Sequence, residues 1–226
     1  MKQILNRRLL AFLLCAALLV TICGCQKKTK QLDSPPLDKE SVAYLESLFG
    51  ITPQELLEEL GLSEKDVTEK LPGLVWINQP IVVEGKEFTK VLAFSSGEPE
   101  LAKFNSFQYR RDCENAEETA EVAEAVYLAA VEEYGKAKHG HLTGPSFLDN
   151  EGVFDEIRKA KGGGWNIAWV VGEFSYLLME VMVDEDEEWF TVELKYSVLP
   201  EEWHRFDPEY KSSVSLGPTL RSDGLD

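Results

Sequence analysis

The chain has 226 residues, 44% of them apolar, and 23 Lys and Arg against 40 Asp and Glu, for a formal charge of −17 at neutral pH. That balance excludes nucleic acid as a partner, because such affinity comes largely from neutralising phosphates with Lys and Arg. It also argues against broad electrostatic docking on anionic lipid, while the length and apolar fraction suffice for one core, or two small ones.

The first residues read as a leader. Lys2, Arg7 and Arg8 form a positive head, and Leu9 to Val20 is uninterrupted apolar sequence. A helix needs roughly 20 apolar residues to span a bilayer, so this stretch is too short and fits the hydrophobic region of a secretory signal over 1–24. Ile22, Cys23 and Gly24 before Cys25 resemble the lipobox of bacterial lipoproteins: branched apolar, small, Gly, then Cys. The resemblance implies cleavage before Cys25 and thioether lipidation of it. The protein would then sit on the outer face of the cell membrane in a monoderm, or on a periplasmic face in a diderm. A diacylglyceryl group has two chains, enough for stable anchoring where one holds only marginally. Cleavage removes three of the 23 basic residues and none of the 40 acidic ones, leaving 20 against 40. Cys15 and Cys23 leave with the leader and Cys25 is lipidated, so Cys113 is the one remaining thiol and no internal disulfide is expected.

Residues 25–37 read as a lipidated Cys and a polar tether with Pro35-Pro36, and 38–198 as an α+β domain, divisible into halves 38–111 and 112–198. Asp38 to Leu71 reads as two or three short helices. Val42, Leu45, Leu48 and Phe49 recur at helical spacing. Thr52 with Glu55 forms a capping box, Pro53 suits the first helical position, Gly61 stops the helix, and Ser63 with Asp66 suggests a third cap. Gly73 to Arg111 reads as three strands, with a hairpin turn at Glu84-Gly85. Glu114 to Tyr134 reads as a long helix opened by Asn115 and Glu118, with a stripe of Ala116, Ala120, Ala123, Tyr127, Ala130 and Tyr134. Lys136 to Gly164 reads as a long connection with one short helix near Phe154 to Ala160, and Gly162-Gly163-Gly164 as a flexible hinge. Trp165 to Val198 reads as three more strands, and 199–226 as a loose tail. The expected fold is therefore α+β: antiparallel sheet in two three-strand halves, packed by one long helix and the short N-terminal helices.

Gly50-Ile51-Thr52, then Glu55-Leu56, Leu60-Gly61 and hairpin strands to about Arg111 resemble the two-helix, three-strand unit of outer-membrane assembly lipoproteins and of β-lactamase inhibitor protein. This resemblance implies a role in envelope assembly or protein binding. The single long helix of the second half departs from a tandem repeat of that unit.

Chemistry is sparse. His139-Gly140-His141 is the local His pair, with Asp149, Glu151 or Asp155 as a third ligand for a metal; the competing reading is a solvated loop after a helix end, and no metal is expected. Asp184 to Glu188 is acidic throughout, but Trp189 stands where a calcium loop needs Gly and Lys195 where it needs Glu. Cys113 lies between Asp112 and Glu114, which raise rather than lower a thiol pKa. Trp165 and Trp169 share one strand face and, with Phe174 and Tyr176, are the candidate ligand or partner residues, against the alternative that they are core. Phe174 to Val183 is apolar on both faces, so either the 38–71 helices cover the second face or a partner does.

These readings describe a membrane-anchored extracytoplasmic binding or interaction protein, with no cofactor and no evident catalytic machinery. The alternatives are a small enzyme or metal-binding protein using the 136–164 loop, and an envelope-assembly scaffold.

Overall fold

A computed structural model describes residues 37, 39–95, 101–137, 146–147 and 151–206. The leader, Cys25, nearly all of the tether, His139, His141, Asp149 and residues 207–226 lie outside the described residues.

Two short helices come first, α1 (Lys39–Glu46) and α2 (Pro53–Leu60). The Thr52 box forms in full: Thr52 Oγ1 accepts from the Glu55 amide at 3.3 Å, and Glu55 Oε2 accepts from the Thr52 amide at 2.9 Å. Gly61 closes α2 in the left-handed region at φ 68°, where a side chain is strained. The Ser63 and Asp66 pair also forms but starts only one 3-10 turn, Glu64–Asp66.

The expected third helix is replaced by a strand. The sheet runs β1 (Val67–Leu71), β2 (Leu74–Val83), β3 (Lys86–Phe94) and β4 (Phe104–Asp112). Helix α3 (Ala116–Tyr134) follows, then the two-residue β5 (Ser146–Phe147), helix α4 (Val153–Lys159), and strands β6 (Gly162–Val170), β7 (Ser175–Asp184) and β8 (Trp189–Val198). β1 escapes pattern reading because it is an edge strand exposed along most of its length. Pairing with β2 holds it, not an apolar face. The Glu84-Gly85 turn lies where expected, both residues at positive φ, 48° and 75°.

The strands form one eight-stranded sheet, ordered β1-β2-β3-β4-β8-β7-β6-β5, not two separate halves. All pairings are antiparallel except the short parallel one between β5 and β6. After β4 the chain crosses through α3 and α4 to the far edge and zigzags back, so the last strand, β8, pairs with β4 over Ser106 to Asp112. The three expected strands of each half are present, each with one further edge strand.

The strand register assigns each side chain to a face. One face carries Phe107 and Tyr109 of β4, Leu177, Met179, Val181 and Val183 of β7, and Val192, Leu194 and Tyr196 of β8, all at most 2% exposed. Helix α3 packs on this face against β7 and β8. Ala120, Ala123 and Ala130 are fully enclosed, which lets the helix approach closely, and Val122 and Val126 are buried too, with α4 packed on α3. Phe49, just after α1, stacks on Tyr196 and Phe104 at 5.4 and 5.5 Å, so this N-terminal segment covers the same face.

Two further expectations change. The Gly162-Gly163-Gly164 run is not a hinge but the start of β6, paired with Asp184, Val183 and Met182. A Cβ at Gly163 would meet the Trp165 ring at 2.8 Å, and one at Gly164 the Met182 sulfur at 2.9 Å, so close approach selects glycine. The tail does not loosen at 199. Leu199 is fully buried, Pro200–Arg205 forms a 3-10 helix that buries Trp203, and Phe206 packs on Phe174 at 5.4 Å. The run of polar residues and Pro200 concealed these apolar anchors.

Candidate functional site

The second face of the sheet differs in chemistry. Three rows cross β4, β8, β7 and β6 at successive register positions. The first holds Ser106, Ser197, Tyr176 and Val170; the second Gln108, Lys195, Leu178 and Ala168; the third Arg110, Glu193, Glu180 and Asn166. Apolar residues fill part of it: Ala168, Tyr176 and Leu178 cluster with Leu199 and are nearly enclosed. The charged residues Arg110, Lys195, Glu180 and Glu193 are half-buried.

Glu180 and Glu193 stand directly opposite each other on β7 and β8. Like charges directly opposite in an antiparallel pair repel, at Cβ separations of about 4.5–5.5 Å. Burial and then the Glu180 charge push the Glu193 carboxyl above the usual range, against the opposing pull of Arg110 and Lys195. Arg110, opposite Glu193 in the register, also has partners of its own. Its Nε donates to Asp112 Oδ1 at 2.8 Å and its guanidinium lies 5.7 Å from the Trp189 ring centre. Among the described residues neither Glu180 nor Glu193 makes a hydrogen bond or a contact ion pair. Beside them Asn166 Oδ1 is enclosed without a partner, and Ser106 Oγ is likewise, in a residue only 1% exposed. Burial pushes the Tyr176 hydroxyl up, a hydrogen bond with Ser197 opposing.

At the sheet end where β7 turns into β8 lies an open recess of about 560 Å³, rimmed by Asp112, Asp184, Glu187, Glu188 and Trp189, with Cys113 in its wall. Trp189 is 47% exposed. Asp184 Oδ1 accepts from the amides of Asp186 and Glu187, so it closes the hairpin, whose residues 185–188 are exposed. Burial pushes the Cys113 thiol up, the reverse of nucleophile activation.

The residues singled out in the sequence fall in different places. Trp165 and Trp169 belong to the covered face, 4% and 3% exposed, and Trp169 Nε1 donates to the Gly135 carbonyl at 3.0 Å. They are core. Phe174 packs among Phe49 and Phe206, holding the sheet end together. Tyr176 alone reaches the polar face. Glu151 is exposed and Asp155 pairs with Arg158 at 2.7 Å; no group of three metal-ligating side chains occurs among the described residues. Sequence reasoning missed Arg110, Asn166, Glu180, Glu193 and Ser106. The residues of β8 alternate in sequence, which sets Glu193 and Lys195 on the face opposite Val192 and Leu194, but only the register aligns them with Glu180 and Asn166.

Compared with known proteins, the chain matches no family model, no curated protein and no solved structure.

Proposed function

We propose that the protein is a membrane-anchored extracytoplasmic binding lipoprotein, lipidated at Cys25, whose binding surface is the polar sheet face around Glu180 and Glu193. The observation that carries the reading is the half-buried pair Glu180 and Glu193, set directly opposite each other on β7 and β8 on the sheet face away from α3. Like charges directly opposite destabilise an antiparallel pair, so a cationic group that reaches them is bound favourably. The deactivated thiol of Cys113 weighs against thiol catalysis. The anchor rests on the lipobox resemblance. No helix among the described residues is long and apolar enough to cross a membrane.

Two measurements test this. Metabolic labelling with a fatty-acid probe should mark the full chain in a bacterial host and vanish in Cys25→Ala. Thermal-shift screening against amino acids, sugars, nucleosides and short peptides should find one class that raises the melting temperature, because a ligand bound only to the folded state stabilises it. Lys195→Met should remove that rise. A chain that responds to no class, or whose response survives substitution on this face, refutes the binding surface.

A further inference from the structure

Glu180 on β7 and Glu193 on β8 stand directly opposite each other, with Asn166 of β6 beyond Glu180 and Arg110 of β4 beyond Glu193. Opposite side chains in an antiparallel pair have Cβ atoms about 4.5–5.5 Å apart, so the two carboxyl groups can meet. Both residues are half-buried. Water therefore screens the pair only in part. Two carboxyl groups that share such a site lose their protons in coupled steps, because the first charge opposes the second. The charged neighbours do not relieve the pair. Among the described residues Arg110 and Lys195 favour ionisation of Glu193, while Glu180 and Asp112 oppose it. Arg110 Nε donates to Asp112 Oδ1 at 2.8 Å, and its guanidinium lies over Trp189. Lys195 is two residues along β8, an advance of about 6.4–6.8 Å. Among the described residues neither cation makes a contact ion pair with either glutamate.

A carboxylate only accepts hydrogen bonds, whereas a protonated carboxyl has one O–H to donate. One proton between Glu180 and Glu193 therefore turns repulsion across β7 and β8 into a charge-assisted hydrogen bond, one of the stronger kinds. We propose that this pair is a proton-operated latch in the β7 to β8 ladder: one shared proton joins the strands at this row, and its loss sets two like charges against each other. The latch closes as the surroundings turn acidic and opens as they turn alkaline. The four register positions beyond it, from Val181 with Val192 to Asp184 with Trp189, lead to the exposed acidic turn 185–188. That end of the ladder is what the latch tightens. It needs no ligand, and so goes beyond the binding surface proposed for the same face.

The test is carbon-13 NMR of the glutamate carboxyl groups together with backbone amide exchange, on the full chain in non-ionic detergent without added ligand. In the wild type Glu193 should titrate above the ordinary glutamate value of about 4.3. Glu180→Gln removes the facing charge and should lower that midpoint by about one unit or more. Amide protection at 181–184, corrected for the intrinsic exchange rate, should fall in the wild type as pH rises through the same midpoint. In Glu180→Gln/Glu193→Gln, where two neutral amides replace the latch, it should stay level. Thermal melts establish that each variant is folded. A wild-type Glu193 midpoint at or below about 4.3 overturns the proposal. A midpoint that Glu180→Gln leaves unmoved does the same, because burial alone then accounts for it. Protection that follows pH equally in the wild type and the double variant also overturns it.

Discussion

Glu46 on α1 and Ser175 on β7, 129 residues apart, are joined by a hydrogen bond of 2.6 Å from the serine hydroxyl to Glu46 Oε1. The same oxygen accepts from the Phe174 amide at 3.0 Å. Ser175 in turn accepts from the Tyr196 hydroxyl at 3.0 Å, and that hydroxyl also lies 3.3 Å from the Val42 carbonyl. Ser175 is fully buried, so it links the first helix, the start of β7 and the core tyrosine of β8 in a dry environment.

Ser175→Ala removes the link from both sides. Hydrogen bonds to charged groups contribute about 1.5–3 kcal/mol, and the Tyr196 hydroxyl loses a partner as well. The expected loss of unfolding free energy in denaturant titration is about 2–3 kcal/mol. A change below about 0.5 kcal/mol, the usual range of a neutral surface substitution, would show that the contact carries no net stability.

The two glycines of β6 should respond unequally. At Gly163 a new methyl meets the ring of Trp165, which is 4% exposed and held in the core. At Gly164 it meets the sulfur of Met182, a flexible side chain 42% exposed. Overpacking costs about 1–3 kcal/mol where neighbours are fixed. Gly163→Ala should therefore lower the melting temperature clearly more than Gly164→Ala. Equal effects would show that the fixed Trp165 ring costs no more than the flexible Met182 side chain.

How much of this was legible in the sequence depended on whether local pattern or distant pairing decided the outcome. The Thr52 and Glu55 box, the Glu84-Gly85 turn and the α3 stripe are written within a few residues, and each formed. The Val67–Leu71 strand was hidden because its residues are mostly exposed and only β2 gives it a partner. The union of the halves was hidden for the same reason: β4 meets β8 across the intervening chain 113–188. The candidate site is the extreme case. Glu180 and Glu193 each read as one polar position in a strand, and only the β7 to β8 register places them opposite each other. The tryptophans drew attention for their size, and size is what placed them in the core.

Trp203 tests the packed start of the C-terminal segment. It is 5% exposed, and its ring lies 5.7 Å from that of Phe206, which also contacts Phe49. Replacing a buried Trp with Ala costs about 3–5 kcal/mol. Trp203→Ala should show a loss of that order by chemical denaturation. A loss under about 0.5 kcal/mol would return residues from 199 onward to the status of a loose tail.

Glu193 makes the stability of the fold depend on pH in a specific direction. Burial first, then the charges of Glu180 and Asp112, raise its carboxyl above the ordinary range, while Arg110 and Lys195 oppose the rise. The folded state therefore holds this proton more tightly than the unfolded chain, where a glutamate titrates near about 4.3. The stabilising contribution of that proton is fully present below the unfolded value and is lost as pH rises through the folded value. At pH 8 the ionised Glu193 opposes folding. Glu193→Gln keeps the shape and removes the charge, so the variant should melt at a higher temperature than the wild type at pH 8. The difference should shrink as the pH falls toward and below about 4.3, where the unfolded chain also takes up the proton. Melting curves of both proteins across that range decide the matter: a gain that stays constant with pH, or a loss at pH 8, would show that Lys195 and Arg110 outweigh burial and the neighbouring carboxylate.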